Sequence, residues 1–311
     1  IVAVRSTRAQ TRPGVPRIAV LDWGSEDAGR IGRFRQDLRE LGYVDGENIL
    51  VAYHFAEGRA ERAEALAAEI VRGGADVIVA FTTPAARAVQ QATSTIPIVA
   101  SSADPVGTGL VTNLARPGGN ITGFSNMMPD LESKRMELLR DLMPNARRLA
   151  FLGSARDPAT RNFVRETQAA AARIGASVEP YLIDNADGID GALAAMVHDK
   201  IEAVIVQPLF GLDTRAATRM AELAARHRVP AIGAYLSFPR AGGLLSFGPD
   251  QAQAFRTVAL YVDRILKGAK PGDLPVAQPT RFEIGINLRT AAALGLTIPQ
   301  VLLLRADEVI E

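Results

Sequence analysis

The chain contains no cysteine, which excludes disulfides, thiolate catalysis and cysteine-ligated zinc. Aromatic residues are scarce, 5% of 311 positions with a single tryptophan. An excess of one charge is lacking too. The 35 Lys and Arg balance 34 Asp and Glu, and the net charge of +1 leaves no electrostatic footprint for nucleic acid or an anionic membrane. No apolar run approaches the roughly 18 residues of a membrane span.

What the sequence does have is alternation. From Pro16, strand candidates Arg17–Asp22, Asn48–Tyr53, Val77–Phe81, Ile96–Ala100 and Ile121–Phe124 alternate with helical stretches Arg30–Leu41, Ala60–Arg72 and Ala85–Ala92. After a helix over Asp130–Leu142, a second series begins: Arg148–Leu152, Ser177–Ile183, Ala203–Gln207, Ala231–Ala234 and Leu244–Phe247, with helices Thr160–Ile174, Gly188–His198 and Leu212–Arg228. Strands alternating with helices predict parallel α/β sheets built from right-handed crossovers. Two series of similar length predict two doubly wound lobes. A long helix Pro249–Lys267, a Pro-rich linker, a strand Arg281–Ile286 and a short helix Leu288–Leu294 are too few for a third domain. They are expected to complete the two lobes, the chain crossing between them more than once. Residues 1–15 read as a disordered terminus or a signal-peptide remnant.

The segment Asp76–Leu110 is the richest. Its two apolar runs, Val77–Ala80 and Ile96–Ala100, end at Thr82-Thr83 and Ser101-Ser102 and then meet Pro84 and Pro105. Continuous β-branched runs read as strands buried on both faces. Thr83 reads as an N-cap with Pro84 at the first helical position and Ala85 opening the helix. Asp104-Pro105 has the same form. Hydroxyls and helix N-termini at adjacent strand ends make an anion site, and ligands in such sheets sit outside the carboxyl ends of the strands.

Catalytic motifs do poorly. Gly107-Thr108-Gly109 begins like a dinucleotide fingerprint, but Thr112 stands where the third glycine belongs. Ser125 lacks the second glycine of a nucleophile elbow. His54, His198 and His227 have no partners at metal-ligand spacing and read as surface or capping residues, so no metal, cofactor or catalytic residue is expected. Aromatics, by contrast, gather at the carboxyl ends of strands in both lobes: Trp23, Phe81, Phe210 and Tyr235. A buried ring removes about 150–250 Å² from water, worth about 4–6 kcal/mol. Rings alone do not orient a ligand; Thr82, Thr83, Ser101, Ser102 and Asp104 would supply that.

With these features in order, the chain resembles the ABC-transporter solute-binding proteins of the tryptophan/tyrosine-binding family. The resemblance runs from about Arg17 to Val309. It is carried by Leu41-Gly42-Tyr43-Val44-Asp45-Gly46, Phe81-Thr82-Thr83-Pro84-Ala85, Asp104-Pro105-Val106-Gly107, Arg116-Pro117-Gly118-Gly119-Asn120-Ile121-Thr122-Gly123, Ile265-Leu266-Lys267-Gly268 and Leu294-Gly295-Leu296-Thr297-Ile298-Pro299. It implies a type I periplasmic-binding-protein fold with a three-crossing hinge, residues 16–124 and 248–276 forming one lobe and 125–247 and 277–311 the other. It also implies a monomer in the periplasm that delivers an aromatic or hydrophobic amino acid, or a related carboxylate, to an ABC permease. By this analogy Thr83 and the amides after it would receive a carboxylate and Asp104 an amino group. The second lobe departs from the family around Ser154, Arg156, Pro208 and Phe210, with Arg156 meeting either an extra anionic group or solvent. The alternatives are an effector-binding regulatory domain of the same fold, for which the residues before Val15 are too few to form a helix-turn-helix, and a doubly wound enzyme.

Overall fold

The computed structural model describes residues 14–311; the expectation for the terminus therefore falls almost wholly outside the described residues. The first lobe runs β1 (Arg17–Asp22), α1 (Ala28–Glu40), β2 (Leu50–Phe55), α2 (Ala60–Arg72), β3 (Val77–Phe81), α3 (Thr83–Ala92), β4 (Ile98–Ser102) and β5 (Ile121–Ser125). Its five strands are all parallel in the order β2-β1-β3-β4-β5. The apolar runs of β1, β3 and β4 are buried on both faces, each Val or Ile contributing about 1.5–3 kcal/mol. Edge strand β2 is only half-buried.

After α4 (Glu132–Leu142) the second lobe runs β6 (Arg148–Ser154), α5 (Thr160–Arg173), β7 (Ser177–Ile183), α6 (Ile189–His198), β8 (Ala203–Val206), α7 (Pro208–Leu212), α8 (Thr214–Arg226), β9 (Ala231–Gly233), α9 (Ser237–Arg240) and β10 (Leu245–Pro249). The chain then returns to the first lobe as α10 (Gln251–Leu266). Buried Val258, Ala259 and Val262 of α10 join one core with Phe34 and Leu38 of α1 and with Val77, Val79 and Val99 of the sheet. Finally β11 (Phe282–Asn287), α11 (Leu288–Leu294), α12 (Gln300–Leu303) and β12 (Glu308–Ile310) complete the second sheet, ordered β12-β11-β10-β9-β8-β6-β7. Among the described residues only β10 and β11 pair antiparallel. The order β7-β6-β8-β9-β10 repeats β2-β1-β3-β4-β5, so the two lobes share one topology.

The chain passes between the sheets three times: through residues 126–131, at 249–251, and over 277–281, where Ala277 still bridges to Phe124. At the first passage Met127 takes a φ of 50°. Beneath it lies a wholly buried ion pair of Arg135 and Glu132 on α4. Arg135 Nε donates to the Phe247 carbonyl at 2.9 Å, and Nη2 lies 3.2 Å from Met128 Sδ, so one side chain ties the first passage to the strand that leads into the second.

Local differences from expectation have local causes. Pro97 has no N–H to join a ladder, and β4 starts two residues later than expected, at Ile98. Asp104-Pro105 opens a run of turns over 105–110 instead of a helix, the Asp104 carboxylate accepting from Gly107 N–H at 2.7 Å. Pro117-Gly118-Gly119 is a turn with φ of 69° and 61° at its glycines; Asn120 beyond it donates to the Ile96 carbonyl at 2.8 Å. That turn enters the amino end of β5 and takes no part in the hinge.

Candidate ligand-binding site

In each lobe the strand order reverses beside the first strand, and a crevice opens at the carboxyl ends there. β1 and β3 deliver Asp22, Phe81 and Thr82; β6 and β8 deliver the loop to Asp157 and Pro208. The two crevices face one another around a cavity of about 620 Å³, open solvent at its mouth included. Phe81, Phe163, Tyr235 and Phe255 wall it with rings, and Met128 lines it from the hinge. Phe81 stacks obliquely on Phe255 with centroids 5.0 Å apart and meets Phe34 edge-on at 5.8 Å.

Polar groups stand at both ends. On the first lobe, Arg30 Nη2 lies 3.2 Å from the buried Asp22 carboxylate, while Arg30 Nε is buried without a partner. Burial pushes Asp22 up, opposed by Arg30. Thr82, not Thr83, is the N-cap of α3, and its Oγ1 is buried and unpaired. Thr83 is the first helical residue; its hydroxyl accepts from Ala103 N–H at 3.1 Å. On the second lobe, Asp157 is 7% exposed. Its carboxylate accepts from Ala159 N–H at 2.9 Å and from Gln207 Nε2 at 2.8 Å, and among the described residues no cation lies beside it. Burial pushes this carboxyl up to about 6.

Thr82 is strained. Its φ of 91° with ψ of 158° lies where a β-branched residue is costly, about 1–3 kcal/mol. Its N–H donates to the Ser101 carbonyl at 2.8 Å, and its own carbonyl accepts from Ala86 at 3.1 Å, which together hold the conformation. Thr82→Gly is expected to raise stability by roughly 1 kcal/mol after the chain-entropy cost of glycine, whereas Thr82→Ala keeps the strain. Urea denaturation of the two variants checks this; a glycine variant less stable than the alanine one would refute it.

The structure brings Phe81, Thr82, Thr83, Ser101, Pro208 and Tyr235 to this cavity. Pro84 and Ala85 are buried behind it in the first turn of α3. Ser102 is buried one strand position further on, its hydroxyl unpaired. Trp23, Ser154 and Phe210 line a second, outer cavity of about 790 Å³. Two expectations require correction. Asp104 does not line the cavity; one oxygen accepts from Gly107 N–H and the other from Asn162 of the other lobe at 2.8 Å, so the carboxylate holds a turn and an interlobe contact. Arg156 points to solvent, 53% exposed and paired with Asp184. Sequence reasoning missed Asp22, Arg30, Asn126, Asp157, Phe163 and Phe255. Asp157 carried a signal, an Asp-Pro after a strand; Phe163 and Phe255 carried none, because helix periodicity does not say which apolar residue faces a cleft. Among the described residues no cluster of His and carboxylates has metal-binding geometry, and no helix is long and apolar enough to cross a membrane.

Two doubly wound lobes of one topology, joined by three passages around a ring-lined cavity, define a type I periplasmic-binding-protein fold. The chain belongs to the family of ABC transporter substrate binding proteins, whose model matches residues 18–310; it is a solute-binding protein and not an enzyme. It is 27% identical to a tyrosine-binding protein of Clostridioides difficile over 279 residues, 88% of this chain and 80% of that protein. Among solved structures it is similar to an ABC domain in complex with L-Trp from Streptococcus pneumoniae, with 28% identity, a TM-score of 0.86, and coverage of 95% of this chain and 100% of the other. A conserved domain protein from Vibrio cholerae matches equally, with 29% identity, a TM-score of 0.86, and 95% and 99% covered.

Proposed function

We propose that this chain is the extracytoplasmic substrate-binding component of an ABC importer, closing on a small amino acid with an aromatic or hydrophobic side chain. The periplasm is its compartment and an ABC permease its partner. The observation that carries the ligand reading is Asp157, a buried carboxylate in the cavity wall with no cation beside it among the described residues. A ligand ammonium supplies the missing charge. At the opposite lobe, Thr82 Oγ1, at the N-cap of α3 whose dipole favours an anion, and Arg30 Nε of α1, on the same cavity, lack partners among the described residues. These groups take the ligand carboxylate, and Phe81, Phe163 and Phe255 take its side chain. A ligand touching both lobes favours the closed arrangement over the open one. The relatives that bind tyrosine and L-Trp support the same class.

Calorimetric titration with L-tryptophan, L-tyrosine and L-leucine, each beside its des-amino analogue, tests the reading. The amino acids are expected to bind and the des-amino acids to bind far more weakly. The Asp157 carboxyl is raised to about 6, and only its ionised form pairs with ammonium. Affinity for the amino acids is therefore expected to fall about tenfold from pH 7 to pH 5. A des-amino acid that binds as tightly as its parent, or an affinity flat across that range, removes Asp157 as the ammonium partner.

A further inference from the structure

Two helix N-termini from opposite lobes meet across the mouth of the cleft, and each is capped by an aspartate. Asp27 caps α1, its Oδ1 accepting from Arg30 N–H at 2.9 Å. Asp213 caps α8, its Oδ1 accepting from Ala216 N–H at 3.0 Å. A carboxylate has acceptor sites to spare after one such bond. The second oxygen of each reaches into the other lobe. Asp27 Oδ2 accepts from the Thr214 hydroxyl at 2.8 Å, and Asp213 Oδ2 accepts from Ser25 N–H at 2.9 Å. The arrangement is reciprocal: each donor lies within two residues of the opposing cap.

We propose that Asp27 and Asp213 form a latch that holds the cleft closed by itself, so that the closed form is populated before any ligand arrives. The electrostatics favour it. Helix N-termini carry partial positive charge and repel one another when they face; the aspartate at each offsets that charge, and Arg30 offsets the like charges of the two carboxylates. Arg30 adds a cation beside Asp22 and Asp27, and its field also reaches Asp213. Burial pushes both capping carboxyls up, but their hydrogen bonds and Arg30 together hold them below the ordinary value. None of the four latch residues lines the inner cavity, so the latch acts without touching the ligand. Trp23, two residues before Ser25 and 5% exposed, lines the outer cavity with Asp213 and becomes accessible when the lobes part.

Acrylamide quenching of Trp23 in the ligand-free protein reads the latch directly. Thr214→Val removes the hydroxyl and leaves Asp27 capping α1; Asp213→Asn keeps a capping oxygen and sets an amide donor against Ser25 N–H. The wild type is expected to be weakly quenched, with each variant raising the quenching constant about threefold and the double variant more. The far-UV spectrum is expected to stay unchanged. Thr214→Val, nearly isosteric, keeps the test open if Asp213→Asn folds poorly. A wild type quenched as strongly as the double variant, or a Thr214→Val protein indistinguishable from wild type, overturns the latch. No ligand enters the measurement, so a failure of the amino-acid reading shows in calorimetry and leaves this result untouched.

Discussion

Replacing Asp157 with alanine is expected to cost an amine-bearing ligand about 100-fold in affinity while its des-amino analogue changes by less than about threefold. A charge-assisted bond in a dry site is worth about 1.5–3 kcal/mol, and the upper end applies when a ligand ammonium is left buried without its partner; about 2.7 kcal/mol is two decades. The variant also leaves Gln207 Nε2 with only its contact to Thr160 Oγ1 and removes the acceptor of Ala159 N–H, so affinity is to be measured on protein shown to be folded. Unliganded stability gives a second readout. The folded carboxyl titrates at about 6 against an ordinary 3.8, so folding favours its protonated form. That contribution is fully present below the unfolded value and is lost as pH rises through about 6. Asp157→Ala is expected to remove this pH dependence between about 4 and 6. Equal losses of affinity for parent and des-amino ligand would show that Asp157 only shapes the loop.

Arg135→Met is expected to destabilise the second lobe by about 3–5 kcal/mol, the cost of leaving one member of a buried ion pair alone. Glu132 and Arg135 are both fully buried, and burial pushes Glu132 up against the pull of the guanidinium. The double variant Glu132→Leu/Arg135→Met is expected to recover more than half of that loss in urea denaturation, because it removes the stranded carboxylate. It does not recover all, since the Phe247 carbonyl loses its donor. A double variant as unstable as the single one would show that the tie from Arg135 to Met128 and Phe247, and not the charge, carries the energy. Met128 lines the ligand cavity, so ligand affinity should be followed in the same variants.

Much of the first lobe's half of the candidate site is legible in the sequence. Thr82-Thr83-Pro84 marks a strand end and a helix start, and the structure puts both threonines at the cavity. The same logic misread Asp104-Pro105. An Asp before a Pro opens a turn as readily as a helix, and the choice was made by Gly107 N–H and by Asn162 on the other lobe. In the second lobe Arg156 is an expected site residue, although it is Asp157 next to it that lines the cavity. Arg156 points to solvent and Asp157 inward, and only the hydrogen bonds to Ala159 and Gln207 settle which one turns inward. Of the four aromatics at strand ends, Phe81 and Tyr235 reach the inner cavity while Trp23 and Phe210 line the outer one.

The sequence by itself determined the alternation of strand and helix, the parallel sheets and the paired lobes. These follow from short-range patterns, because a strand buried on both faces and an amphipathic helix each write their burial into ten or so consecutive residues. Only the tertiary structure decided what faces what across the cleft. Ser25 meets Asp213 from 188 residues away, and Asp27 meets Thr214 from 187. Such pairs depend on how three hinge passages set one rigid lobe against the other, and no local periodicity records that.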